Sequence, residues 1–216
     1  MKGARDGTRV LKHKPHWISP PGPVGEGLSI GLLGGSFDPA HDGHLYVSEI
    51  ARKLLRLDYI WWLVSPGNPL KPEPAAFAMR LARARIAAAH HPFIRVTGIE
   101  QCLRTRYTID TVKALKRRFP RCRFVWLMGS DNLEQFARWW RWQEIAKAIP
   151  IAVVRRPGSV LAPLHAPLAR RFGVARQLGP APSLVILDGR RNWESSTALR
   201  AQALGAAAEA MVNLTV

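Results

Sequence analysis

Two histidines three positions apart, His41 and His44, close a glycine-rich turn in the stretch Gly34-Gly35-Ser36-Phe37-Asp38-Pro39-Ala40-His41-Asp42-Gly43-His44-Leu45. Glycines lack the Cβ that would hold an anion off the backbone, and a helix start presents unpaired N–H groups at the positive end of its dipole. Imidazoles beside that anion donate hydrogen bonds to oxygens on which transition-state charge builds. Gly34, Gly35, Ser36, Phe37, His41 and His44 therefore form a candidate phosphate cradle. The competing reading is that both histidines merely cap a helix or fill a core. It fits less well, because Gly43 and the glycines before it leave the room a phosphate needs. Asp38-Pro39 has a structural reading: Pro39 stiffens the turn and Asp38 accepts from nearby N–H groups.

Such a cradle must be carried by a strand and a helix. Ser29-Ile30-Gly31-Leu32-Leu33 precedes it, and an amphipathic segment runs from it through Arg56. Further apolar runs follow at 59–64, 94–96, 124–128, 151–154 and 184–187, with helical periodicity near 44–56, 77–90, 108–118 and 142–148. The alternation predicts an α/β fold: a Rossmann-like, doubly wound parallel sheet flanked by helices, in a single domain. Strands as apolar as Phe124-Val125-Trp126-Leu127-Met128 suit burial on both faces. Ligands of such sheets gather at the carboxyl ends of the strands, and the glycine turn lies there. The stretch 158–183 reads as a surface excursion with a short basic helix, and alanine-rich 198–210 as helical.

A chain of 216 residues with 47% hydrophobic content accommodates one domain with a sizeable core. Residues 1–28 are basic and Pro/Gly-rich without an apolar centre, so they read as a flexible extension ahead of a domain at 29–216. No apolar run approaches the roughly 18 residues that span a bilayer. Cys102 and Cys122 stand alone, which disfavours zinc binding and a disulfide framework and suits a cytoplasmic setting. The net charge of +17 admits steering of polyphosphates or binding of nucleic acid. Its cations are spread along the chain without an aromatic-interleaved RNA-binding motif, so nucleic acid is the less favoured partner.

The cradle resembles the first motif of the class I nucleotidyltransferases, whose His-x-x-His element ends in Gly-His. More of the chain is similar to the bacterial nicotinate-nucleotide adenylyltransferases. Matching segments are Asn68-Pro69-Leu70-Lys71, Arg106-Tyr107-Thr108-Ile109-Asp110-Thr111-Val112, Met128-Gly129-Ser130-Asp131, Arg138-Trp139-Trp140-Arg141-Trp142, Val154-Arg155-Arg156-Pro157-Gly158 and Ser195-Ser196-Thr197-Ala198-Leu199-Arg200. They keep the family's order across about residues 29–203.

The resemblance implies roles. His41, His44, Lys71 and Arg200 would stabilise charge on the phosphates. Arg200 lies one helical turn beyond Ser196 and so shares its face. Ser195, Ser196 and Thr197 would offer hydroxyls and backbone donors to ATP, and Arg155 and Arg156 would line the adenosine side. Asp131 would accept from a ribose hydroxyl or cap the next helix. Tyr107, Thr108 and Trp139 would form the nicotinate nucleotide site, with Trp139 stacked on the pyridine ring and Trp142 left to packing. The chain departs from the pattern at Glu194, where the family usually has Ile, and in lacking a histidine before Lys71.

The activity so implied joins ATP to nicotinate mononucleotide, with Mg²⁺ held mainly by the ATP phosphates and no all-protein metal site. A homo-oligomer is left open. Two other adenylyl acceptors stay open, the nicotinamide nucleotide and phosphopantetheine, the latter disfavoured by the tyrosine and tryptophan segments. A non-catalytic basic RNA-binding protein is the distant alternative.

Overall fold

A computed structural model of the protein describes residues 19–67, 75–155 and 165–189. Their strands are β1 (Ser29–Gly35), β2 (Tyr59–Val64), β3 (Ile94–Thr97), β4 (Arg123–Gly129), β5 (Ile151–Arg155) and β6 (Leu184–Asp188). The helices are α1 (Asp42–Leu55), α2 (Phe77–Ala87), α3 (Ile99–Leu103), α4 (Thr108–Arg118), α5 (Ser130–Phe136), α6 (Trp142–Ala148) and α7 (Pro167–Phe172). The strands make one sheet in the order β3-β2-β1-β4-β5-β6, and every neighbouring pair is parallel. This is the doubly wound fold that the alternating pattern predicts. Chain direction across the sheet reverses between β1 and β4, which opens a crevice at the carboxyl end of β1.

Side chains alternate between two cores, as the two-residue period of a strand requires. Ile30, Leu32, Trp61, Leu63, Phe124, Trp126 and Met128 face α3 to α7. Leu33, Ile60, Trp62, Val64, Val125 and Leu127 face α1 and α2. Trp61 and Trp62 are consecutive and both fully buried, one in each core. That explains why these strands look uniformly apolar in sequence.

Three features depart from expectation. Periodicity predicts neither α3 nor α5, because five and seven residues are too few to show a helical period, and only the capping reading of Asp131 points to a helix at α5. Residues 19–28 are bound to the domain: Arg123 Nη2 donates to the Gly27 carbonyl at 2.9 Å, and Val24 packs against the core. The helix of the 158–183 excursion is basic at Arg170 and Arg171, yet it buries Leu168 and Ala169 in the domain. The expected helix at 198–210 lies outside the described residues. Among the described residues, no helix is long and apolar enough to cross a membrane.

Candidate active site

The histidines lock each other at the start of α1. His41 is the N-cap, and its Nδ1 accepts from the Gly43 N–H at 3.1 Å. His44 Nδ1 accepts in turn from the His41 N–H at 3.3 Å, completing a reciprocal capping box. They therefore do cap a helix, but only with one edge of each ring. An accepting Nδ1 of a neutral imidazole leaves the ring proton on Nε2, so Nε2–H is the donor edge of each ring. The fold thus assigns both tautomers before any ligand arrives.

Beneath this pair lies an aromatic stack. The Phe37 ring is 4.6 Å from that of His44 and stacks at 5.0 Å on Trp62. Trp62 Nε1 donates to Ser48 Oγ at 2.8 Å, and Ser48 Oγ donates to the His44 carbonyl at the same distance. Phe37 is 1% exposed, so its ring supports His44 from below. The two glycines also act differently from one another. A Cβ on Gly35 would stand 3.8 Å from His44 Nε2, in ordinary contact, so its absence keeps the cradle open. A Cβ on Gly34 would come within 2.7 Å of Trp126 Cη2, so Gly34 makes room for an indole. Gly34→Ala must displace a ring packed in the sheet core. We expect it to cost about 1–3 kcal/mol of stability, read from denaturant midpoints; an unchanged midpoint would refute that packing account.

One cavity of about 410 Å³ joins the cradle to the aromatic segments. Gly34, Gly35, Ser36, Phe37, His41 and His44 line one part of it. Tyr107, Thr108, Asp131 and Trp139 line another part. Thr108 is the first residue of α4; the Asp110 N–H donates to the Tyr107 carbonyl at 3.0 Å, and with no side-chain cap from Tyr107 the Thr108 and Ile109 N–H groups remain able to meet an anion. Trp139 is held edge-on by Trp126 at 5.9 Å and tilted against Phe136 at 5.1 Å. Trp142 contacts Phe136 and Phe172 instead, as packing would have it. Asp131 lies in the first turn of α5, whose N-cap is Gly129, so it is not the cap itself. Asp38 has the structural use expected, its Oδ2 accepting from the distant Ala75 N–H at 2.9 Å.

Arg155 stands apart from the cavity. At the end of β5 its Nε lies 3.1 Å from Asp188 Oδ1, an ion pair too poorly aligned to count as a hydrogen bond. Lys71, Arg156, Glu194, Ser195, Ser196, Thr197 and Arg200 lie outside the described residues.

Three charged cavity residues have no role in the sequence expectations. Arg106 and Arg138 open two of the matching segments and bring positive charge to the aromatic end; their place in those segments was the available signal. Glu100 had none. It is 9% exposed, and its Oε1 accepts from Thr111 Oγ1 at 2.9 Å. Burial pushes its pKa up to about 7, against the opposing effect of the Thr111 hydrogen bond. Among the described residues no group of three or more His, Cys, Asp or Glu could hold a metal. A hard cation that keeps its waters and binds through substrate phosphates is compatible with such a wall.

The cytidylyltransferase-like family matches residues 32–202. A Cereibacter sphaeroides protein named nicotinate-nucleotide adenylyltransferase is 53% identical over 149 residues, covering 68% of this chain and 78% of that protein. A Rhizobium johnstonii protein of the same name is 47% identical over 185 residues, covering 81% and 92%. Among solved structures, the Plasmodium falciparum nicotinic acid mononucleotide adenylyltransferase complexed with NaAD shares the fold. Its TM-score is 0.61 at 18% identity, over 76% of each chain.

Proposed function

The chain belongs to the nicotinate-nucleotide adenylyltransferases within the cytidylyltransferase-like family, and from that premise we propose how its cavity performs the reaction. The enzyme transfers AMP from ATP to nicotinate mononucleotide, giving deamido-NAD (nicotinate adenine dinucleotide) and pyrophosphate in NAD biosynthesis. The single observation that carries the mechanism is the continuity of one cavity from the paired histidines to Tyr107, Thr108 and Trp139.

ATP places its phosphates against the glycine turn and the Nε2–H groups of His41 and His44. Nicotinate mononucleotide lays its ring along Trp139, with its carboxylate toward the leading N–H groups of α4. The acceptor's 5′-phosphate attacks the α-phosphorus; the new P–O bond forms as the bond to the β-phosphate oxygen breaks and pyrophosphate departs. That phosphate has a second pKa of about 6, so it arrives largely ionised and needs no protein base. Catalysis is then positioning and charge stabilisation. Asp131 receives a ribose hydroxyl. Lys71, Arg200 and the Ser195-Ser196-Thr197 donors complete the phosphate site, and Arg156 the adenosine side. When bound, Mg²⁺ would be held mainly by the triphosphate, with no protein ligand cluster needed among the described residues, and would offset part of its charge. The isolated Cys102 and Cys122 are both free, in keeping with a cytoplasmic setting.

Acceptor choice is the decisive test. Pyrophosphate release should show a kcat/KM at least about tenfold higher with nicotinate mononucleotide than with its amide, since unmatched polar groups cost that much or more. Equal specificity constants would overturn the assignment of the acid as acceptor.

A further inference from the structure

Arg80 is the one arginine buried to 1% exposure among the described residues, and it meets no carboxylate there. It projects from the first turn of α2, and its guanidinium donates only to backbone carbonyls. Nε donates to Ala75 at 2.8 Å, Nη1 to Ser36 at 2.6 Å and Ser65 at 2.9 Å, and Nη2 to Pro66 at 3.2 Å. These carbonyls come from the glycine turn, the end of β2 and the start of α2. Burying a charge without a counter-ion is costly, and four charge-assisted bonds, which are the strong ones, offset that cost.

The Ser36 bond bears on chemistry. In a planar trans peptide the C=O and N–H point opposite ways. With the Ser36 oxygen drawn onto Arg80, the Phe37 N–H is directed away from it, and both Ser36 and Phe37 line the cavity. The positive φ of Phe37, 49°, marks the sharp turn at that peptide. Ala75 is gripped from both sides, its N–H by Asp38 and its carbonyl by Arg80, which ties the same turn to α2.

We propose that Arg80 is a positioning residue for adenylyl transfer: it turns the Ser36–Phe37 peptide so that its N–H faces the nucleotide phosphates, and it sets a fixed positive charge behind them. The inference rests on the adenylyl-transfer reading. Arg80→Lys keeps the charge but cannot reach four carbonyls. Its kcat should fall by at least about tenfold, as small misplacements at a reacting centre do, while KM for nicotinate mononucleotide stays within about twofold. Arg80→Met, lacking the charge as well, should fall further. A lowered melting temperature with kcat within about threefold of wild type, assayed well below the melt, would make Arg80 merely structural and overturn the proposal.

Should neither variant fold, wild-type protein still decides. In an amide NMR titration with pyrophosphate, the Phe37 N–H signal should be among the most shifted, and a Phe37 signal that stays put while other cavity signals move sinks the idea. Wild type that releases no pyrophosphate from ATP and nicotinate mononucleotide defeats the reaction reading instead, and the same titration reports on the peptide independently.

Discussion

His44→Ala should lose about a thousandfold in turnover, the scale of removing one well-placed donor from a charge-stabilising site. Its Nδ1 is committed to the His41 N–H, which leaves Nε2–H as the edge facing the opening over Gly35. Alanine removes that donor and one half of the capping box. The loss of stability is much smaller, about 1 kcal/mol by the usual cost of a cap, or a few degrees in melting temperature. Pyrophosphate release under saturating ATP and acceptor, measured beside a thermal melt, separates the two effects. A rate within about threefold of wild type would remove His44 from the phosphate site.

Glu100→Gln should stabilise the protein, and increasingly so as pH rises. The folded carboxyl titrates at about 7 because burial disfavours its charge, whereas its ordinary value is 4.5. Between those values the folded state holds a proton that the unfolded state has released, so stability falls with rising pH through that window. Below 4.5 both states are protonated and the penalty is absent; above 7 it is complete, at about 3 kcal/mol. Glutamine cannot ionise. Denaturant melts should therefore match wild type near pH 4 and exceed it near pH 8. A difference that does not change with pH would return Glu100 to an ordinary carboxyl. The same burial keeps negative charge off the cavity wall in the acid half of this range, where the acceptor brings a carboxylate of its own.

Local periodicity and spacing determined a large part of this protein. Six apolar runs became six strands because each is a short, continuous stretch of β-favouring residues set between helical segments. The glycine turn with His41 and His44 was legible because phosphate binding by a strand–turn–helix uses residues adjacent in sequence. Tyr107, Thr108 and Trp139 were found through their segments. That they meet the histidines in one cavity follows from strand order, which sets β4 beside β1 and which no local pattern encodes.

Burial is likewise a property of the assembled sheet. Arg80 is one of 32 basic residues in the chain, and nothing in its neighbours Met79 and Leu81 marks it as the interior one. Glu100, on α3, owes its raised pKa to burial beside Thr111 of α4, and Gly34 owes its smallness to an indole from a strand far away in the chain. Residue type and order thus set the chemistry on offer, through interactions that act within a few positions. Which charges are stripped of water, and which peptides are turned toward the ligand, was decided by contacts between distant segments, because desolvation and hydrogen-bond direction depend on what packs around a group.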